Sequence, residues 1–140
     1  MTYKQVNELL QTLRAKRSRA DRIIELMKKL ESDAGAIGSA LAPKVPTSNN
    51  VDSKVERLAI KIAETLEQYR KALEEYYAIE DMLAEVIEKE LTGEERDIIV
   101  SHYILGISFR QLTQEMNYSE RSIYYFLASA KRKIARSLQL

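Results

Sequence analysis

From Val51 onward the apolar or tyrosine positions Val55, Leu58, Ile62, Leu66, Tyr69, Leu73, Tyr76, Ile79, Leu83 and Val86 follow one another at intervals of three or four residues. Ten steps cover 35 residues, a mean of 3.5, which is the repeat of a left-handed coiled coil. The spacing predicts a helix of about 60 Å at 1.5 Å per residue. A helix so long, apolar along one side only, is unstable until that side is covered. The N-terminal segment supplies the cover, with Leu9, Leu13, Ala20, Ile23, Met27 and Leu30 on one seam that Lys16 or Arg17 interrupts. Between the two, Asp33 to Asn50 holds Gly35, Gly38, Pro43 and Pro46 among serine, threonine and asparagine, so the first helix ends before Pro43 and a linker occupies about residues 33–50. Such a linker can span about 60 Å. It therefore permits a parallel or domain-swapped pairing as well as an antiparallel hairpin.

Charge runs in the same direction. Residues 1–30 carry a net +5, residues 51–97 a net −7 and residues 98–140 a net +4, although the whole chain sums to +1. The basic run Arg14, Lys16, Arg17, Arg19, Arg22 is thus expected to face Glu64, Glu67, Glu74 and Glu75 across the helix pair, with a second DNA-backbone contact as the competing use.

Residues 91–140 form a second domain with a different grammar. Thr92-Gly-Glu-Glu95 is a capping box that starts a helix near Gly93; Ile98, Ile99, Tyr103 and Ile104 are its apolar face, and Gly106 ends it in the left-handed conformation. Ser108-Phe-Arg-Gln111 is a second box, opening a short helix with Leu112 and Met116 as its ridge. Asn117 supplies a tight turn, because asparagine visits the left-handed region readily. Ser119 then caps a helix over 119–135 in which Ile123, Phe126, Leu127, Ala130 and Ile134 point inward. Glu120, Arg121, Tyr124 and Tyr125 are left outward at its leading end.

A helix whose N-terminal side chains stand free is what reading of the major groove requires. On that reading Glu120, Arg121, Tyr124 and Tyr125 contact base edges. Arg110, Ser119, Ser122, Lys131, Arg132, Lys133 and Arg136 contact phosphates on either side.

The segment Leu91–Ile134 resembles the promoter-reading C-terminal domain of sigma-70-type transcription factors (region 4) and its stand-alone relatives among phage and prophage late-gene regulators. The resemblance covers roughly a third of the chain. It rests on Leu91-Thr92, Glu95-Arg96, Tyr103, Gly106-Ile107-Ser108, Gln111-Leu112, Met116, Tyr118-Ser119, Ser122-Ile123, Ala130 and Lys133-Ile134. It implies a helix-turn-helix module whose last helix enters the promoter's upstream element, with Glu120, Arg121, Tyr124 and Tyr125 at the base-contacting positions. Thr113 stands where the family usually packs a small alanine, Asn117 replaces its turn glycine, and Tyr124-Tyr125 replaces longer polar residues. The last difference alters the sequence that would be read, since tyrosine lacks arginine's fork for guanine.

At 140 residues with 45% hydrophobic and 31% charged content, the chain has a globular balance. It contains no cysteine, no basic-then-apolar leader and no apolar run of membrane-spanning length. A cytoplasmic setting is therefore expected. His102, the sole histidine, reads as an ordinary scaffold residue, and Glu74-Glu75 and Glu80-Asp81 read as a solvated face rather than paired catalytic carboxylates. With no glycine-rich phosphate loop, nucleophile set or ligand cluster, the expectation is a non-enzyme without metal or cofactor. The sequence thus predicts an all-α protein, a helical hairpin or coiled coil followed by a sigma-like helix-turn-helix domain. Its expected partner is double-stranded DNA, and the N-terminal helices favour a homodimer or higher oligomer. Two other roles fit the same features: a DNA-packaging recognition subunit of the small-terminase kind, and a sigma-like module that grips RNA polymerase.

Overall fold

The computed structural model describes residues 1–41 and 49–138, with side chains described over 1–35 and 53–138. Among the described residues every regular element is helical: α1 (Tyr3–Leu41), α2 (Asn49–Glu90), α3 (Gly93–Ile99), a π-helical turn (Val100–Ile104), α4 (Phe109–Met116) and α5 (Glu120–Ser137). The all-α class follows directly. Helix α1 continues through Gly35 to Leu41, so the stretch from Asp33 to Leu41 assigned to the linker is helical. Residues 42–48 of that linker lie outside the described residues.

The contacts do not divide at residue 90. One compact unit takes Met1–Ser18 together with Glu74–Leu140, and a second takes Arg19–Leu73. The reason is visible in the first unit's core. Val6, Leu10 and Leu13 of α1, Tyr76, Leu83 and Ile87 of α2, and Ile98, Ile99, Tyr103, Leu112, Ile123, Leu127 and Ile134 beyond them form one buried cluster. Short helices of seven and eight residues cannot enclose a core alone, and here the ends of the two long helices complete it. Within this unit the long helices run antiparallel. Lys16 pairs with Glu75 at 2.8 Å, the Arg17 guanidinium lies 5.3 Å from the Tyr76 ring centre, and further on Leu13 lines one cavity with Leu83 and Ile87.

The seams differ from the predicted ones by a residue at several places. On α2 the inward positions are Leu58, Ile62, Thr65, Tyr69, Ala72, Tyr76 and Leu83, whereas Leu66 is 58% exposed. Reading Leu66 as a seam residue follows side-chain size, whereas Leu73, also read there, is half-buried. The helix instead keeps the alternating steps of four and three that hold one line along a supercoil, and this places the small Thr65 and Ala72 inside. Thr65 tolerates burial because its hydroxyl donates to the Lys61 carbonyl at 2.7 Å. On α1, Leu10 rather than Leu9 is fully buried. The interrupting cation is Arg17, which keeps its charge half-buried by stacking on Tyr76. Of the expected cross-helix ion pairs Lys16–Glu75 is present, and Glu67 instead binds Arg70 one turn away on its own helix.

In the second unit α1 buries Ala20, Met27 and Leu30, and α2 buries Thr65 and Ala72.

Candidate nucleic-acid interface

Each junction in the C-terminal region is fixed by local chemistry. The Thr92 hydroxyl accepts from Glu95 N at 3.3 Å and the Glu95 carboxylate accepts from Thr92 N at 2.9 Å, a complete capping box. Arg96 reaches back to the Ile87 and Glu88 carbonyls and closes the end of α2. After α3 the backbone widens into the π-helical turn, with Leu105 N bonded to Val100 O at 2.9 Å. Gly106 then takes φ 76°, as a chain reversal without a Cβ allows. The Ser108 box is only half formed. Ser108 Oγ accepts from Gln111 N at 3.2 Å, but the Gln111 amide turns to Glu115 at 3.0 Å. Asn117 holds φ 55° and ψ 30°, the left-handed turn between α4 and α5. Ser119 caps α5 through Ser122 N at 3.1 Å.

His102, expected to be unremarkable, locks this region. It is buried, its Nδ1 lies 2.7 Å from the Ile107 carbonyl, and its ring stacks on Phe109 with centroids 3.7 Å apart. A carbonyl only accepts, so Nδ1 carries the proton. Burial lowers its pKa, and the nearby charges of Arg14 and Lys131 act in the same direction. Phe109 in turn packs on Tyr124 with centroids 5.4 Å apart. A file of rings therefore joins the π-helical turn, α4 and the leading turns of α5.

Helix α5 has two opposite lines of side chains. Ile123, Leu127, Ala130 and Ile134 are buried, with Phe126 half-buried. Glu120, Arg121, Tyr124 and Tyr125 are all exposed at the leading end, and Arg132 and Arg136 are exposed further along. Arg121, Tyr125, Arg132 and Arg136 share one face by helical geometry, over about 22 Å at 1.5 Å per residue. Arg110 is exposed on the first turn of α4, beside Phe109.

Two of the predicted phosphate contacts are spent inside the fold. Lys131 is buried, donates to the Asn7 side chain at 2.6 Å and lies over the Tyr3 and Tyr103 rings; burial lowers its pKa. Lys133 is half-buried and pairs with Glu95 at 2.6 Å. Lys131 is consequently removed from the surface, while the charge of the half-buried Lys133 is already paired. They anchor α5 to α1 and α3 respectively. Ser119 and Ser122 are partly committed as well, since the Ser119 hydroxyl donates to Ser122 Oγ at 3.0 Å. In sequence all four look like parts of a polar, basic helix; a lysine facing a buried glutamate one helix away leaves no local mark. Thr113 is half-buried and satisfies its hydroxyl on the Arg110 carbonyl at 2.6 Å.

Among the described residues no group of histidine, cysteine or acidic side chains could hold a metal ion, and no helix is long and apolar enough to cross a membrane. No protein-family model matches the chain, and no curated protein or solved structure is detectably similar to it.

Proposed function

We propose that this protein is a sequence-specific DNA-binding regulator of transcription, of phage or prophage type, acting in the cytoplasm, with α5 as the helix that enters the major groove. The observation that carries the reading is the exposed face of α5, where Arg121 and Tyr125 lead and Arg132 and Arg136 follow, opposite an apolar face buried in the core. A rigid helix with free residues at its N-terminal end and cations behind them suits base reading in front and phosphate pairing behind. The resemblance of Leu91–Ile134 to sigma-type promoter readers supports the same role. Glu120, Arg121, Tyr124 and Tyr125 are the proposed base contacts, with Arg110, Arg132 and Arg136 on phosphates.

The two classes of contact separate experimentally. Arg121→Ala should weaken binding to a selected duplex by about 1–3 kcal/mol while barely changing binding to random duplex. Arg132→Ala should weaken both alike and flatten the salt dependence by about one ion. Titrations of both variants on both duplexes check this, and equal losses for Arg121→Ala would remove it from base reading.

A second copy of the chain is the proposed partner of the long helices. What supports it is α2 itself, where Val55 and Leu66 stand 41% and 58% exposed on one face beside the buried seam. Light scattering should give a dimer or larger assembly at micromolar concentration; a strict monomer would remove this part. Half-sites about one DNA turn apart would follow from two symmetrically placed copies of α5.

A further inference from the structure

We infer that the leading face of α5 selects its duplex through the 5-methyl groups of thymine, read by Tyr124 and Tyr125. The inference rests on the DNA-reading role above and adds which chemical group is recognised. Tyr124 is 47% exposed and Tyr125 is 68% exposed, so they are the bulkiest outward groups on the turns of α5 that would go deepest. Neither ring is loose. Tyr124 packs on Phe109 with centroids 5.4 Å apart, and Tyr125 meets Phe126 edge-on at 6.0 Å. Phe126 is in turn braced by Tyr118 at 5.4 Å, and Phe109 by buried His102 at 3.7 Å. A ring backed by another ring presents its remaining apolar surface in a fixed place at little further entropic cost.

In the major groove the edges of adenine, guanine and cytosine offer hydrogen-bond donors and acceptors, and thymine alone adds a methyl group. Apolar ring carbon held at the groove floor therefore discriminates for thymine. A tyrosine hydroxyl that reached a phosphate would add affinity without sequence information. The polar readers on the same turns, Glu120 and Arg121, flank this aromatic pair and accommodate cytosine and guanine at neighbouring positions.

The test uses the full-length protein and the duplex that it retains most tightly from a randomised pool, remade with deoxyuridine in place of thymidine so that only methyl groups are lost. Uracil should weaken binding about threefold to fivefold for each methyl contacted, the ratio that burial of one carbon corresponds to. Tyr124→Ala with Tyr125→Ala should bind the thymine and uracil duplexes equally, and the paired phenylalanine variants should retain the difference. Both side chains are exposed, and the paired phenylalanine variants also keep the ring contacts with Phe109 and Phe126. Equal affinity of the wild type for the two duplexes would overturn the inference and leave the DNA-reading role intact. A uracil penalty that persists undiminished in the paired alanine variant would also overturn it. Retention of no duplex from the pool would overturn the DNA-reading role itself.

Discussion

Glu95→Ala should lower the stability of the unit formed by Met1–Ser18 and Glu74–Leu140 by about 3 kcal/mol, and the loss should be largest near neutral pH. The side chain is 2% exposed, yet it is ionised. Burial alone would raise its pKa, but the hydrogen bond from Lys133 and those of the Thr92 cap outweigh that cost and hold the carboxyl at about 2. Removing it opens the capping box at the start of α3 and strands Lys133 of α5 beside an apolar core. Because the folded pKa lies below the ordinary value of 4.5, the stabilisation is fully present above pH 4.5 and is lost as pH falls toward 2. At about 1.4 kcal/mol per unit this amounts to at most about 3 kcal/mol. Urea unfolding midpoints from pH 7 to pH 2 would show it: the wild type should converge on Glu95→Gln as the medium becomes acid. Parallel curves for the two proteins would mean that the pair contributes nothing to folding.

That pair also marks the limit of what sequence could disclose. The caps at Thr92, Ser108 and Ser119 and the left-handed turns at Gly106 and Asn117 were legible because each is written within four residues of chain. The apolar lines of α3 and α5 were legible for the same reason, as helical period depends on the helix alone. What escaped is decided between elements. Helical phase sets Lys131 and Lys133 to either side of the outward Arg132, but that they are held there by Asn7 of α1 and Glu95 of α3 is written in other elements. The seam of α2 escaped for a related reason. Leu66 outweighs Thr65 by hydrophobicity, while burial on a helix follows position in the repeat rather than size. The π-helical turn has no short signature, and with it went the role of His102 as the ring that ties Ile107 to Phe109.

Leu10→Ala should cost about 2–5 kcal/mol, and the loss should be felt in α5 although α1 and α5 are remote in sequence. Leu10 is fully buried and belongs to the same cluster as Ile98, Leu112, Ile123 and Ile134. The C-terminal helices are short, and part of the surface they bury is covered by α1 and the end of α2. If residues 91–140 were a free-standing module, a cavity opened from α1 would leave them unchanged. Since the core is shared, loss of Leu10 should instead accelerate amide exchange along Ile123–Ile134 together with that of α1, in one cooperative unit. Ile60→Ala is the control, because Ile60 is 58% exposed on a face of α2 away from Val55 and Leu66, and its loss should cost under about 0.5 kcal/mol. Hydrogen exchange followed residue by residue separates the outcomes. Protection of α5 that survives Leu10→Ala unchanged would show that α5 is held by α3 and α4 alone.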